Sequence, residues 1–122
     1  MANALNWFEI PATNHDRAVK FYKTVLKNEL QSVEMDGIKM SIFTYNDGEI
    51  SGSICTGDGY KPSANGALIY LNGGEDLSDP LSRVETAGGK IVLPKTKISD
   101  EIGYMAYFMD TEGNKMAFHS PK

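Results

Sequence analysis

The sequence predicts an α+β fold built from two β-α-β-β-β units, and three observations predict it. Strand-forming and helix-forming segments recur in one order in each half. One hairpin is repeated at a fixed offset, and a segment rich in Gly, Pro, Ser and Asn separates the halves. Element by element, "ALNWFEI" is apolar and aromatic and reads as a strand, ended by Pro11, which withholds a ladder donor. A helix follows. Thr13 or Asn14 can cap its N-terminus, Asp16 suits the first turn, and Ala18, Phe21, Tyr22, Val25 and Leu26 fall at helical spacing. Lys20, Lys23 and Lys27 then face water, and Asn28 is expected to close the helix in a left-handed conformation. "LQSVEM", "IKMSIFTY" and "EISGSICT" read as three strands, the last two joined by a hairpin turn at "NDG".

The second half begins at residue 66. "GALIYLN" is a strand, "GGEDLSD" a turn, and Asp79 followed by Pro80 supplies a cap with proline in the first helical position. Leu81, Val84 and Ala87 mark the buried face of that helix, and Gly88 and Gly89 stop it. "KIVLP", "GYMAYFM" and "KMAFHS" complete the unit, the last two joined around "TEGN". Phe43, Asp47 and Gly48 recur as Phe108, Glu112 and Gly113, each sixty-five residues later. The expected organisation is a single domain over 1–122, with module one at 3–56, a linker at 57–65 and module two at 66–120. The linker lacks the Gly-Lys-Ser/Thr ending of a phosphate loop, and no evident helix follows it.

Composition narrows the function. At 122 residues and 41% hydrophobic, the chain is long enough for one core and too short for two ordinary domains. A formal charge of −4 and a pI near 5.1, with scattered lysines, give no nucleic-acid footprint. No apolar run is long enough to span a membrane and "MANALNW" has no basic n-region, so the expectation is a soluble, cytoplasmic protein with neither membrane nor nucleic-acid partner. Cys55 is the only cysteine, which excludes an intrachain disulfide or a cysteine-built metal cluster and leaves core packing as its ordinary role.

Four segments carry a family resemblance: "FEIPATNHDRAVKFY", "GYKPSANGALIYL", "RVETAGGKIVLPKT" and "YFMDTEGNKMAFHS". The last is similar to an F-x-D-P-x-G-N hairpin, with Thr111 where proline is usual. Together they resemble the vicinal oxygen chelate superfamily, which includes glyoxalase I, bleomycin-resistance proteins, fosfomycin-resistance enzymes and extradiol dioxygenases. The resemblance covers nearly the whole chain and implies that the two modules form a curved mixed-sheet cup. It also implies that metal ligands, in the family's enzymes, stand at the positions of Trp7, Gly52, Ala67 and Ala117. An indole, a hydrogen and two methyls cannot coordinate a metal, and a slip of one residue restores no ligand set, so neither metal nor cofactor is expected.

Residues on the strand faces of those positions are expected to line the cup: Glu9, Ile69 and His119, with Cys55 included subject to a bulge at Gly52. Trp7 can stack on a planar or cationic ligand, with Glu9 supplying charge, or can simply fill the volume a metal would take. Glu9 and His119 are the candidate acid–base pair for metal-free proton transfer. His15 reads as a solvated neighbour of the helix cap. Tyr104 and Tyr107 have opposite parity, so at most one faces the cup, while Tyr45, Tyr60 and Tyr70 suit a rim, the linker or an interface. The function expected is metal-independent small-molecule binding, as in sequestration or resistance. The alternative that the resemblance implies is a metal-dependent lyase or isomerase similar to lactoylglutathione lyase. A homodimer is expected in either case.

Overall fold

The computed structural model of the chain describes residues 3–122. In chain order the elements are β1 (Trp7–Pro11), α1 (His15–Leu26), β2 (Gln31–Met35), β3 (Ile38–Ile42), β4 (Ser51–Thr56), β5 (Tyr70–Asn72), α2 (Ser78–Leu81), β6 (Lys90–Ser99), β7 (Gly103–Met109) and β8 (Lys115–Ser120). They form two four-stranded mixed sheets, ordered β1-β4-β3-β2 and β5-β8-β7-β6. In each sheet the first strand runs parallel to the last, and the remaining pairs are antiparallel. This is the α+β arrangement that the sequence predicts.

Local chemistry explains most element ends. Asn14 caps α1 by accepting from the Arg17 N–H at 3.1 Å, which satisfies one of the orphan donors of the first turn. Lys27, rather than the expected Asn28, takes the left-handed conformation at the other end, with φ 52°. Asn28 is committed elsewhere: its side chain accepts from the Thr44 N–H at 2.9 Å and donates to the Thr44 carbonyl at 3.2 Å. Asp36 and Gly37 connect β2 to β3 with φ of 54° and 77°, the positive pair that a two-residue hairpin turn requires.

Three expectations in the second half need correction. The strand foreseen from residue 66 is only Tyr70–Asn72. Asp79 is not a cap but lies inside α2, a four-residue helix entered through Asp76, whose carboxylate accepts from the Ser78 N–H at 2.9 Å. Leu81 and Val84 are nevertheless buried, because the turns that continue to Gly88 keep the helical spacing. β6 is twice the length foreseen and carries Pro94; it pairs only with β7, so the missing donor of Pro94 falls on an edge strand, where register shifts absorb it.

One core serves both sheets. Ala18, Phe21, Tyr22 and Val25 form the buried stripe of α1. The stripe meets Ile10, Phe43 and Ile54 of the first half, and Leu71, Phe108 and Phe118 of the second. Phe21 lies 6.0 Å from Phe108 between ring centroids, and Tyr22 meets Phe43 edge-on at 5.9 Å. A single helix therefore joins two sheets, and truncating a ring such as Phe21 to alanine would cost about 3–5 kcal/mol.

The turn between β7 and β8 closes that core. Tyr22 donates to Asp110 Oδ2 at 2.5 Å; burial, and then the Asp110 charge, push its hydroxyl well above the ordinary range and keep it a donor. Asp110 Oδ1 accepts from the backbone of Glu112 and Asn114, while Asn114 Nδ2 donates both to Asp110 Oδ2 and to the Pro11 carbonyl, the latter at 2.8 Å. Glu112 Oε1 accepts from the Thr13 and Asn14 N–H groups at 2.9 and 2.8 Å, and Oε2 takes Arg17 Nε at 2.7 Å. Burial pushes the Glu112 carboxyl up, but Arg17 and those two N–H groups outweigh it and hold the pKa below the usual carboxylate value. The repeated "TEGN" turn of the second half thus helps cap the first half's helix.

Candidate functional site

Strand alternation gives each sheet a side towards α1 and a side away from it. On the first sheet Trp7, Glu9 and Pro11 lie beside Ser51, Ser53 and Cys55, and Met40 beside Cys55. Ile10 and Ile54 take the core side. Glu9 therefore stands on the outward face, where the Tyr60 hydroxyl donates to one of its carboxylate oxygens at 2.9 Å. That bond, above all, pushes the Tyr60 hydroxyl up to about 12. Trp7 is 37% exposed and meets Tyr45 edge-on at 6.1 Å. Cys55 is on this face but fully buried, with Sγ 3.3 Å from Ser53 Oγ; burial pushes its thiol up, the opposite of an activated nucleophile.

On the second sheet Ala117 stands between Tyr70 and Tyr107 in register, and the two hydroxyls meet at 3.2 Å. Two tyrosines arch over one methyl. This explains why Ala117 is fully buried on a face turned away from the core, while Lys115 Nζ sits 4.7 Å from the Tyr107 ring centroid. His119 shares the outward face with Asn72 and Met105. Its Nε2 lies 2.6 Å from the Ile102 carbonyl, so that nitrogen carries a proton and donates.

The expected residues are thus partly gathered. Trp7, Glu9 and Cys55 share one outward face and His119 lies on the other; Glu9 is paired with Tyr60 and His119 with Ile102, and no hydrogen bond joins Glu9 to His119. Ile69 departs from its expected parity. It precedes β5, its carbonyl accepts from the Ala117 N–H, and its side chain packs against the core, so Tyr70 faces outward in its place. His15 is not merely solvated: Nδ1 and Nε2 lie 2.8 Å from Thr56 Oγ1 and Ser41 Oγ, and burial followed by Lys39 lowers its pKa, favouring neutral imidazole. Tyr60, Tyr70, Tyr107 and Lys115 were not singled out from sequence as a group. Parity could have found Tyr107, whereas Tyr60 reaches Glu9 from a linker with no periodicity to read.

The four positions matched to metal ligands do not fit a metal. Trp7 and Ala117 face outward, but a Cβ on Gly52 would lie 2.5 Å from the Phe8 carbonyl oxygen and 2.6 Å from its ring, so Gly52 is glycine to let Phe8 cross. Ala67 lies before β5, outside the sheet. Gly52 opposes Phe43 as Met116 opposes Phe108, a spacing of sixty-four rather than sixty-five residues, so the second hairpin is one residue shorter than the sequence repeat implies. Among the described residues no three His, Cys, Asp or Glu side chains stand together to hold a metal.

Beside Glu9 is a hollow of about 200 Å³ whose lining also includes Lys61, Ser63, Ala67, Ile69 and Lys115, so Ile69 borders the site from the core side. Lys61 and Lys115 have no carboxylate partner among the described residues. An anion-bearing and a cation-bearing wall therefore face one small volume, and Trp7 lies two residues before Glu9 on the same outward face. No helix of the described residues is long and apolar enough to cross a membrane.

No protein-family model matches the chain. A glyoxylase-like domain-containing protein of Didymella fabae is 30% identical, over 93% of this chain and 90% of that protein. Glyoxalase I from Zea mays is similar in structure, with a TM-score of 0.70 at 17% identity over 96% of this chain; the chain spans only 46% of that enzyme's length. TnmS3, an antibiotic binding protein from Streptomyces sp. CB03234, has a TM-score of 0.67 at 20% identity, over 100% of this chain and 99% of TnmS3. At such identities the two structures establish a common fold.

Proposed function

Given that the chain belongs to the vicinal oxygen chelate superfamily through its glyoxylase-like domain, we propose that it is a metal-independent small-molecule binding protein, acting by sequestration. The observation that carries this reading is Glu9: one carboxylate oxygen is held by Tyr60, the other is left for a ligand, and the hollow beside it is bounded by Lys61 and Lys115. Trp7 supplies an aromatic wall next to that charge. TnmS3, which shares the fold over its full length, is an antibiotic binding protein, and that supports the same class of role here. The proposed ligand is small, carries a hydrogen-bond donor for Glu9, and is held without chemistry on it.

In this reading the protein acts as a homodimer. Val33 and Met35, exposed on the outward face of the first sheet, give a second copy an apolar surface to cover.

Two measurements test the proposal together. The protein is equilibrated with nickel, zinc, iron and manganese, dialysed, and its metal content read by elemental mass spectrometry. A panel of natural-product antibiotics is then titrated against Trp7, the only tryptophan in the chain, with fluorescence as the readout. Saturable micromolar binding that is weakened in Glu9→Gln, in protein without metal, is the result expected. Stoichiometric metal together with chelator-sensitive turnover of methylglyoxal and glutathione would replace this reading with the lyase one. A panel without any saturating ligand would leave the Glu9 hollow without its proposed role.

A further inference from the structure

We propose a second ligand site, for an apolar cation, in the crevice where the start of β1 meets β5. Its volume is about 470 Å³, within the ordinary span of small-molecule pockets, and of its lining it shares only Ile69 with the Glu9 hollow. The floor is built of Phe8, Leu26, Phe43 and Leu71, which belong to the shared core or pack against it. Its rim is Leu5, Tyr45, Ile50 and Tyr70, each 37–49% exposed. These four are among ten large apolar side chains exposed in the described residues, and they gather around this one opening.

The polar groups decide the ligand's chemistry. Asn28 is spent on both backbone groups of Thr44, and Ser51 Oγ donates to the Phe43 carbonyl at 2.8 Å. Tyr70 is engaged with Tyr107. What is left is the second oxygen of Glu49, whose first accepts from the Asn46 N–H at 2.9 Å, and the amide nitrogen of Asn72, whose oxygen accepts from the Gly74 N–H. No lysine, arginine or histidine is part of the lining, so Glu49 is the one formal charge that a ligand meets. The rings of Tyr45 and Tyr70 at the rim also favour a cation. The occupant is therefore an aromatic or aliphatic body that fills the floor and carries one ammonium at the rim.

The test uses a matched pair of probes, 1-naphthylmethylammonium and 1-naphthoate, titrated calorimetrically against the full chain. Saturable binding of the cation at one site, with the anion at least about tenfold weaker, is expected from one charge-assisted contact. Glu49→Gln should weaken the cation by about tenfold and Ile50→Asp should abolish its binding, while Glu9→Gln, in the other hollow, should leave it unchanged. Both substituted crevice residues are exposed, and circular dichroism confirms that each variant is folded. Equal affinity for the two probes, indifference to Glu49→Gln, or loss of binding in Glu9→Gln would each overturn the assignment. So would absence of binding by a dimer that Ile50→Asp dissociates, which would make the crevice an interface between copies.

Discussion

Replacing Glu112 tests how the second half holds the first. The carboxylate accepts from two backbone N–H groups at the start of α1 and from Arg17 Nε, and its side chain is fully buried while Arg17 is half exposed. Hydrogen bonds to a charged group contribute about 1.5–3 kcal/mol each, but water recovers part of that once the N–H groups are uncovered. Glu112→Ala should therefore destabilise by about 2–4 kcal/mol, and Glu112→Gln, which keeps an acceptor, by roughly half as much. In urea, with a slope of about 1–3 kcal/mol per molar, the alanine variant's midpoint should fall by roughly 1–3 M at an unchanged slope. The pH dependence has a definite sign. Because the folded pKa of Glu112 lies below its ordinary value, its contribution is complete above the unfolded pKa and is lost as pH falls through the folded one. The gap between wild type and Glu112→Gln should therefore be widest near neutrality and close in acid. A midpoint shift in Glu112→Ala worth less than about 0.5 kcal/mol, typical of a surface change, would refute the reasoning, as would a gap that widens on acidification.

Other outcomes rest on single contacts. Gly52→Ala puts a methyl 2.5 Å from the Phe8 carbonyl oxygen and should lower stability by about 1–3 kcal/mol in the same urea assay; a neutral result would mean that β1 moves freely from β4. Cys55, fully buried with a raised pKa, should resist a disulfide-exchange reagent in native protein and react promptly in urea, whereas fast native labelling would contradict its packing. The His15 imidazole should titrate below 6.5 in an NMR series. Its contribution to stability is then present above pH 6.5 and lost as pH falls from there through the folded pKa, and a midpoint at or above 6.5 would show that burial does not dominate.

The order of elements was legible because it rests on local signals: Pro11 and Asn14 bracket the start of α1, and "GYMAYFM" and "KMAFHS" coincide with β7 and β8. Lys27 was not legible as the left-handed residue, because the competing Asn28 is claimed by Thr44, sixteen residues away. Side-chain facing was legible where a strand is long enough to fix alternation, as at Trp7 and Glu9, and failed at Ile69, where the paired strand is three residues long. The repeat located the second hairpin but not its length, since a turn one residue shorter leaves Phe108, Glu112 and Gly113 in place and shifts only the residues of β8. Tyr60 bonds Glu9, and Lys61 borders the hollow beside it, from a segment whose composition announced a linker and nothing more.

The capping of α1 by Glu112 also sets an order of events. The donors at Thr13 and Asn14 and their acceptor are 99 and 98 residues apart, and the Asn114 bond to Pro11 spans 103. As the chain is synthesised, α1 is complete long before the group that finishes its first turn exists, and its apolar stripe has no second sheet to cover it. The closure entropy of such long loops is spent before these contacts form, so the slow step of folding should be the docking of the last hairpin, not the formation of either sheet. An isolated first half would then be a sticky, partly ordered species rather than a small folded domain, and its rescue by a separately added second half would report docking directly.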